Sequence, residues 1–247
     1  MYLGNLNDNY EKINFEKVNI KELPQLEQYM LQKVYNLYAT FNKNFKKYNF
    51  HTLYKELLNF CTSDLSAFYF DIRKDTLYCD PINSKKRKSS ILFLNIILEV
   101  LLKWFAPILS FTTEEIYTLL KLNTKGSIHL EDFPIIPANW NNKELSNKWS
   151  KLVQIRDKCN SSIELKRASK EIGSSLEANL ILNLSEELIL LTKDIDFAEL
   201  CITSGAKIDK ISKDDTEEIN IKTSKAKGQK CPVCWKINTK PCKRHSL

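Results

Sequence analysis

The chain has 247 residues, 43% hydrophobic and 27% charged, a globular balance that excludes collagen-like and fully disordered chains and leaves room for one large or two modest domains. Only 5 Gly and 7 Pro supply few turn-forming positions, which disfavours many-stranded sandwiches and Gly-rich phosphate-cradling folds and favours long helices. The formal charge is +7 and sits at one end: residues 218–247 carry 8 basic residues against the single acid Glu218, while the rest of the chain is balanced.

The opening Met1-Tyr-Leu-Gly-Asn-Leu-Asn-Asp has neither a basic n-region nor an apolar h-region, so no signal peptide is read there and the expected compartment is the cytoplasm. From Leu23 the apolar residues Leu23, Leu26, Met30, Val34, Leu37, Phe41 and Phe45 step by three or four, predicting a helix of about six turns with Pro24 in its first turn. A second helix, from about Phe50, carries Leu53, Leu57, Phe60, Leu65 and Phe68 on one face and fades near Lys74. Lys46-Lys47-Tyr48-Asn49 is then a short antiparallel connection.

After a turn at Pro81-Ile-Asn-Ser84 and the basic run Lys85-Lys86-Arg87-Lys88, which reads as a solvated helix start, the third predicted helix is apolar on nearly every side. Its longest apolar stretch, Ile91 to Leu109, is striped by Asn95, Glu99 and Lys103 at i+4 and meets Pro107, so it reads as the central helix of a bundle and not a membrane span. Thr112 and Glu115 have capping-box spacing, predicting a fourth helix from Thr112 to about Leu122. Four helices with short links make an antiparallel bundle over residues 23–140, preceded by a lead-in over 1–22.

Asn123-Thr-Lys-Gly126 breaks the helical pattern, and Ser127 to Pro134 reads as an extended strip, so a boundary is expected between about 123 and 141. A long fifth helix turns Leu145, Trp149, Leu152, Ile155, Cys159 and Ile163 inward; Lys151, Arg156, Lys166, Arg167 and Lys170 supply charge, and Gly173 is read as its C′ glycine. Ala178–Leu184, Leu200–Ser204 and Ile219–Thr223 are strand candidates, which makes residues 177–225 an appendage with a three-stranded sheet. The expected class is mainly α: a helical bundle, a long helix and small α/β appendage over 141–225, and a basic zinc knuckle over 226–247.

The chemistry concentrates in that knuckle. Cys231-Pro-Val-Cys234, seven residues, then Cys242-Lys-Arg-His245 offers three thiolates and an imidazole, the ligand set of tetrahedral Zn²⁺. A redox CxxC would not need the second pair, and four protein ligands leave no open position for catalysis, so one structural zinc is expected. Lys230, Lys236, Lys240, Lys243 and Arg244 surround the ligands and favour thiolates. Trp235 follows the second ligand, and two roles fit it: stacking on an unpaired base with the cations on phosphates, or covering the metal loop. Cys61, Cys79, Cys159 and Cys201 are scattered and read as small apolar residues. His51 and His129 lie far apart with no GxSxG, Cys-His or Walker signature near them, so no catalytic constellation is read.

Several segments together resemble the C-terminal part of bacterial isoleucyl-tRNA synthetases. Leu3-Gly-Asn-Leu resembles the exit from that family's catalytic domain. Tyr48-Asn-Phe-His51, Phe60-Cys61, Leu65 to Asp71 with Lys74-Asp75, and Trp104 to Thr112 resemble its helical anticodon-binding domain. Ile155-Arg156, Ile172-Gly-Ser-Ser-Leu-Glu-Ala178, Thr203-Ser-Gly-Ala206, Ser224-Lys-Ala and Lys230-Cys-Pro-Val-Cys-Trp235 resemble its C-terminal appendage and zinc element. The helical motifs are shared with valyl and leucyl relatives; the Gly-Ser-Ser-Leu-Glu-Ala run joined to a terminal Cys-Pro-x-Cys-Trp points to isoleucine. The family's second zinc pair is often CxxC after a longer loop, whereas here it is Cys242-Lys-Arg-His245.

The resemblance implies a monomeric tRNA-binding part of an isoleucine–tRNA ligase, with tRNA-Ile as partner and RNA contacts at Trp235, Lys230, Lys236, Lys243, Arg244, Arg156, Arg167 and Lys170. Amino-acid activation, editing and ATP binding would belong to domains upstream in the same polypeptide, and this chain alone is expected to be catalytically inactive. Lys222-Thr-Ser-Lys225-Ala resembles the ATP-contacting Lys-Met-Ser-Lys-Ser loop of class I synthetases but follows no Rossmann half, so it is rejected as a nucleotide site. A stand-alone zinc RNA-binding module, or the equivalent part of a valyl- or leucyl-tRNA synthetase, is the other reading, and a purely structural staple a third.

Overall fold

The computed structural model describes Gly4, Leu6 and residues 11–120, 126–211, 218–242 and 244–245. The chain divides into two compact units, Met1–Lys143 and Glu144–Leu247.

In the first unit, α1 (Gln25–Phe45) buries Leu26, Met30, Val34, Leu37 and Phe41 of the stripe its sequence spacing sets out, with Leu31 beside them and Phe45 half-buried. Pro24 stands one residue before the helix as its extended N-cap, φ −58° and ψ 152°, and not in the first turn; there its missing N–H leaves no ladder bond unmade. The helix closes as a Schellman turn: Asn49 N–H donates to Asn44 O at 2.9 Å and Tyr48 N–H to Phe45 O at 3.0 Å, with Tyr48 left-handed at φ 55°. Asn49 Oδ1 then accepts from Thr52 N–H at 3.4 Å and caps α2 (Phe50–Asn59).

The second predicted helix is one continuous helical run, but Phe60–Phe70 is wound as a π-helix before α3 (Asp71–Cys79) resumes. In that segment the buried positions are Phe60, Leu65 and Tyr69, spaced by five and four, as i→i+5 winding requires. Tyr69 therefore replaces Phe68 on the inward face, where α-helical counting had put Phe68.

Ser84 Oγ accepts from Arg87 N–H at 3.4 Å and caps α4 (Lys85–Phe105), which is buried nearly all round from Ser89 to Trp104 and forms the centre of the unit. Its polar stripe is covered: Asn95 Oδ1 accepts from Glu11 N–H at 3.2 Å, and Lys103 bridges Glu99 at 3.0 Å and Glu131 at 3.4 Å. No helix among the described residues is long and apolar enough to cross a membrane. The next helix, α5 (Ser110–Leu119), starts two residues before Thr112, with Leu109 at its N-cap and no side-chain cap, so the capping box does not form. The cause lies upstream: the turn after Phe105, with Leu109 N–H on Phe105 O at 2.7 Å, carries the backbone straight into the helix. Glu114 instead holds the following strip, accepting from Ser127 Oγ and Ile128 N–H at 2.9 Å each, and the strip contains a 3-10 turn at Ile128–Leu130.

A fully buried ion pair ties this unit together. Glu27 of α1 accepts from Arg73 of α3 in two parallel bonds of 2.6 and 2.7 Å, from Tyr69 Oη at 3.0 Å and from Ser90 Oγ of α4 at 3.3 Å. Burial, reinforced by the Glu27 charge, holds the Tyr69 phenol well above its usual range, so it stays a donor.

The second unit opens with α6 (Lys143–Ala168), which buries Trp149, Leu152, Ile155, Cys159 and Ile163. It too ends in a Schellman turn: Glu171 N–H meets Lys166 O at 3.1 Å and Lys170 N–H meets Arg167 O at 3.0 Å. Lys170, φ 59°, takes the left-handed C′ place, and Gly173 lies beyond it with Glu177 Oε2 on its amide at 3.0 Å. The sheet has order β2-β1-β3, from β1 (Ala178–Leu184), β2 (Gly205–Lys210) and β3 (Ile219–Lys225). β1 runs parallel to β2 and antiparallel to β3, and α7 (Glu186–Thr192) and α8 (Phe197–Leu200) make the crossover that a parallel pair needs. The second strand in chain order therefore begins at Gly205 and not at Leu200: residues 200–204 close α8, with Thr203 N–H on Ala198 O at 2.9 Å. Ser162 Oγ of α6 lies 2.7 Å from Thr223 Oγ1 of β3, and Arg156 Nε donates to Leu200 O at 2.9 Å, which places α6 against the sheet and its crossover.

Candidate metal centre and nucleic-acid interface

Past β3, a two-stranded hairpin of β4 (Gln229–Lys230) and β5 (Ile237–Asn238) pairs Gln229 with Asn238 and Lys230 with Ile237. The loop between them is the knuckle. Cys231 N–H donates to Lys236 O at 2.9 Å and Trp235 N–H to Cys231 O at 3.0 Å, which curls the backbone around the Cys231 sulfur and leaves Trp235 left-handed at φ 62°. Gly228 enters the hairpin at φ 125°, and a Cβ on it would lie 2.1 Å from Asn238 O, so the hairpin admits only glycine there. Ser204 fastens the hairpin to the sheet: its Oγ donates to Leu176 O and accepts from Ile237 N–H at 2.6 Å.

Cys231, Cys234, Cys242 and His245 bring their ligand atoms within 4.8 Å of one another. Cys234 Sγ lies 3.8 Å from Cys242 Sγ, and His245 Nδ1 lies 3.5 Å from both Cys231 Sγ and Cys242 Sγ. A zinc tetrahedron with bonds of about 2.3 Å to sulfur and about 2.0 Å to nitrogen puts two sulfurs about 3.8 Å apart and sulfur and nitrogen about 3.5 Å apart. These three pairs lie at the spacings such an ion needs, and the cluster could hold a metal ion. Backbone amides of Cys234 and Val233, with the His245 ring, lower the Cys231 pKa to about 6. Burial, with the Cys231 and Cys242 thiols beside it, pushes Cys234 up to about 12.

Around this centre the cations are ordered unequally. Lys230 Nζ sits 5.2 Å from the centroid of the Trp235 ring, which is 59% exposed. Lys236, Lys240 and Arg244 line a cleft of about 330 Å³ with Asn238 and Thr239. Lys243 lies outside the described residues. Arg167 and Lys170 meet at a second hollow at the end of α6, of about 500 Å³, where Glu164 holds Arg167 at 2.7 Å. Arg156 is elsewhere, half-buried with its Nε engaged by the Leu200 carbonyl, so the fold already uses part of its guanidinium.

Residues 27–182 match the model of the family described as the anticodon-binding domain of tRNA ligase. This chain belongs to that family. It is 62% identical over 99% of its length to the isoleucine–tRNA ligase of Pelagibacter ubique (strain HTCC1062), where the match is the C-terminal portion and 26% of that protein. It is 36% identical over 90% of its length to the isoleucine–tRNA ligase of Rhodopseudomonas palustris (strain ATCC BAA-98 / CGA009), covering 23% of it. To that of Bartonella quintana (strain Toulouse) it is 39% identical over 90%, covering 24%. The chain thus spans about a quarter of the length of the curated relatives it matches.

Sequence reading reached this family through the helical motifs and the knuckle. It missed Ser204 and Gly228. Gly228 could have been found from its place three residues ahead of the first cysteine, where a close backbone approach asks for glycine; Ser204 carries no local signal, because its partners are 28 and 33 residues away.

Proposed function

We propose that this chain is the tRNA-binding C-terminal part of an isoleucine–tRNA ligase, that its RNA partner is tRNA-Ile, and that Cys231, Cys234, Cys242 and His245 hold one structural Zn²⁺. The observation that carries the first statement is the 62% identity to an isoleucine–tRNA ligase over 99% of the chain, which spans the bundle and the zinc element together. The third is supported by the convergence of three sulfurs and a ring nitrogen within 4.8 Å, three of their pairs at 3.5 to 3.8 Å.

In this reading the bundle over 23–140 receives the anticodon stem-loop and the appendage over 141–225 carries the basic zinc element of 226–247 as a second contact. Lys230, Lys236, Lys243 and Arg244 meet phosphates, with Arg156, Arg167 and Lys170 on the long helix and its end as further contacts. Zinc fixes the knuckle so that Trp235 is presented for stacking. Activation of isoleucine with ATP belongs to upstream domains of the same polypeptide, which works in the cytoplasm as a monomer. Purified chain should carry one zinc per monomer and lose it in a Cys231→Ser, Cys242→Ser double variant; full zinc retention in that variant contradicts the ligand set. The chain alone should catalyse no isoleucine-dependent ATP–pyrophosphate exchange, and protein-dependent exchange by a preparation free of host synthetase contradicts that assignment.

A further inference from the structure

At the α1–α2 turn the fold puts an aromatic ring where glycine is the unstrained residue. Tyr48 sits left-handed at φ 55° and is 81% exposed, so neither backbone ease nor burial accounts for a tyrosine there. Its ring is the outer end of an aromatic column. Tyr48 meets Phe50 edge-on with centroids 6.4 Å apart, Phe50 meets Phe45 at 5.9 Å, Phe45 stacks on Phe41 at 5.5 Å, and Phe41 stacks on Trp104 at 5.0 Å. Phe133 braces the column edge-on against Phe41 and Phe45. Phe41 and Trp104 are each 1% exposed, so the column starts in the core and ends in water.

Along the α1–α2 turn itself the charge has one sign. No acid lies between Glu27 and Glu56 in the sequence, and Lys43, Lys46 and Lys47 are exposed at the turn with no ion pair among the described residues. Across the column, the strip that brings Phe133 carries Glu131 and Asp132, of which Glu131 is held by Lys103 and Tyr117. An exposed ring on a turn that also carries exposed lysines matches the π-face and phosphates of an unpaired nucleotide.

We propose that Tyr48 is a stacking platform for an unpaired RNA base, with Lys46 and Lys47 against the flanking phosphates. The proposal rests on the reading that this chain binds tRNA, but it concerns the bundle and is independent of the zinc element.

The test uses the full chain and an anticodon stem-loop RNA carrying 2-aminopurine in its loop, with a blunt RNA duplex as the second probe. Tyr48→Gly removes the ring while relaxing the backbone, so its melting temperature should hold or rise, and its affinity for the stem-loop should fall about tenfold with loss of fluorescence quenching. Tyr48→Trp should keep affinity and quenching, and duplex binding should not change in either variant. Wild-type binding untouched by Tyr48→Gly, or an equal loss on the duplex, overturns the platform alone. Failure of the wild-type chain to bind the stem-loop overturns the tRNA-binding reading as well.

Discussion

Lys170 and Gly173 lie three residues apart, and the structure gives the left-handed place to the lysine. Side chains pay a penalty there that glycine does not, so Lys170→Gly should raise the stability of the second unit by about 1 kcal/mol, read as a higher melting temperature. Gly173→Ala should leave it within about 0.5 kcal/mol, because the added Cβ meets only the flexible Glu177 carboxylate, at 3.5 Å. Gly228 is the opposite case: its Cβ would collide with the Asn238 carbonyl at 2.1 Å, so Gly228→Ala should open the hairpin and lower zinc content, which metal analysis measures. For Trp235, stacking on a base makes Trp235→Ala weaken tRNA binding by roughly 1 to 3 kcal/mol at any salt concentration, with zinc retained. Full affinity in that variant would leave Trp235 as a cover for the metal loop. The Cys231, Cys234, Cys242 and His245 cluster was legible because thiols and an imidazole at knuckle spacing serve few other ends. Lys170 was not, because helix closure depends on where the last turn loses its packing, which residue type alone does not encode.

The helices of the first unit were legible where the apolar pattern is long and regular, on one face in α1 and on nearly every side in α4. They were misplaced where tertiary bonds overrode local pattern: the capping box at Thr112 yields to the turn after Phe105, and the π winding of Phe60–Phe70 moves the inward face from Phe68 to Tyr69. That shift is what brings Tyr69 to Glu27 beside Arg73, four residues on in the helical run. The cluster joins α1, α3 and α4 by groups at most 3% exposed, so removing one partner leaves a buried charge. Glu27→Gln or Arg73→Met should destabilise the bundle by about 3 to 5 kcal/mol, and Glu27→Met with Arg73→Met together by less than either alone, in chemical denaturation. Pairwise additivity of the two losses would show that the pair is not a unit. Chelation of the metal should act on a different element: it should unfold residues after about 225 and leave the helical circular dichroism of the bundle in place. Loss of bundle helicity on chelation would contradict two separately folded elements.

At the scale of the whole molecule, the +7 excess and its concentration in residues 218–247 decide where a polyanion is drawn first. Replacing Lys236 and Arg244 with Gln should flatten the salt dependence of tRNA binding by about 0.7 to 0.9 in slope for each phosphate no longer neutralised. An unchanged slope would take those cations off the RNA. The charge term is blind to sequence, so under the proposed function cognate choice would come from base-edge contacts, while a ring such as Trp235 would tell an unpaired loop from a duplex. The most direct measurement is therefore filter binding of the purified, zinc-loaded chain to tRNA-Ile, to non-cognate tRNAs and to an RNA duplex, at fixed salt. Saturable binding that ranks tRNA-Ile first, and falls toward the duplex level in Trp235→Ala, is the expected result. Equal affinity for every RNA of the same charge would contradict it.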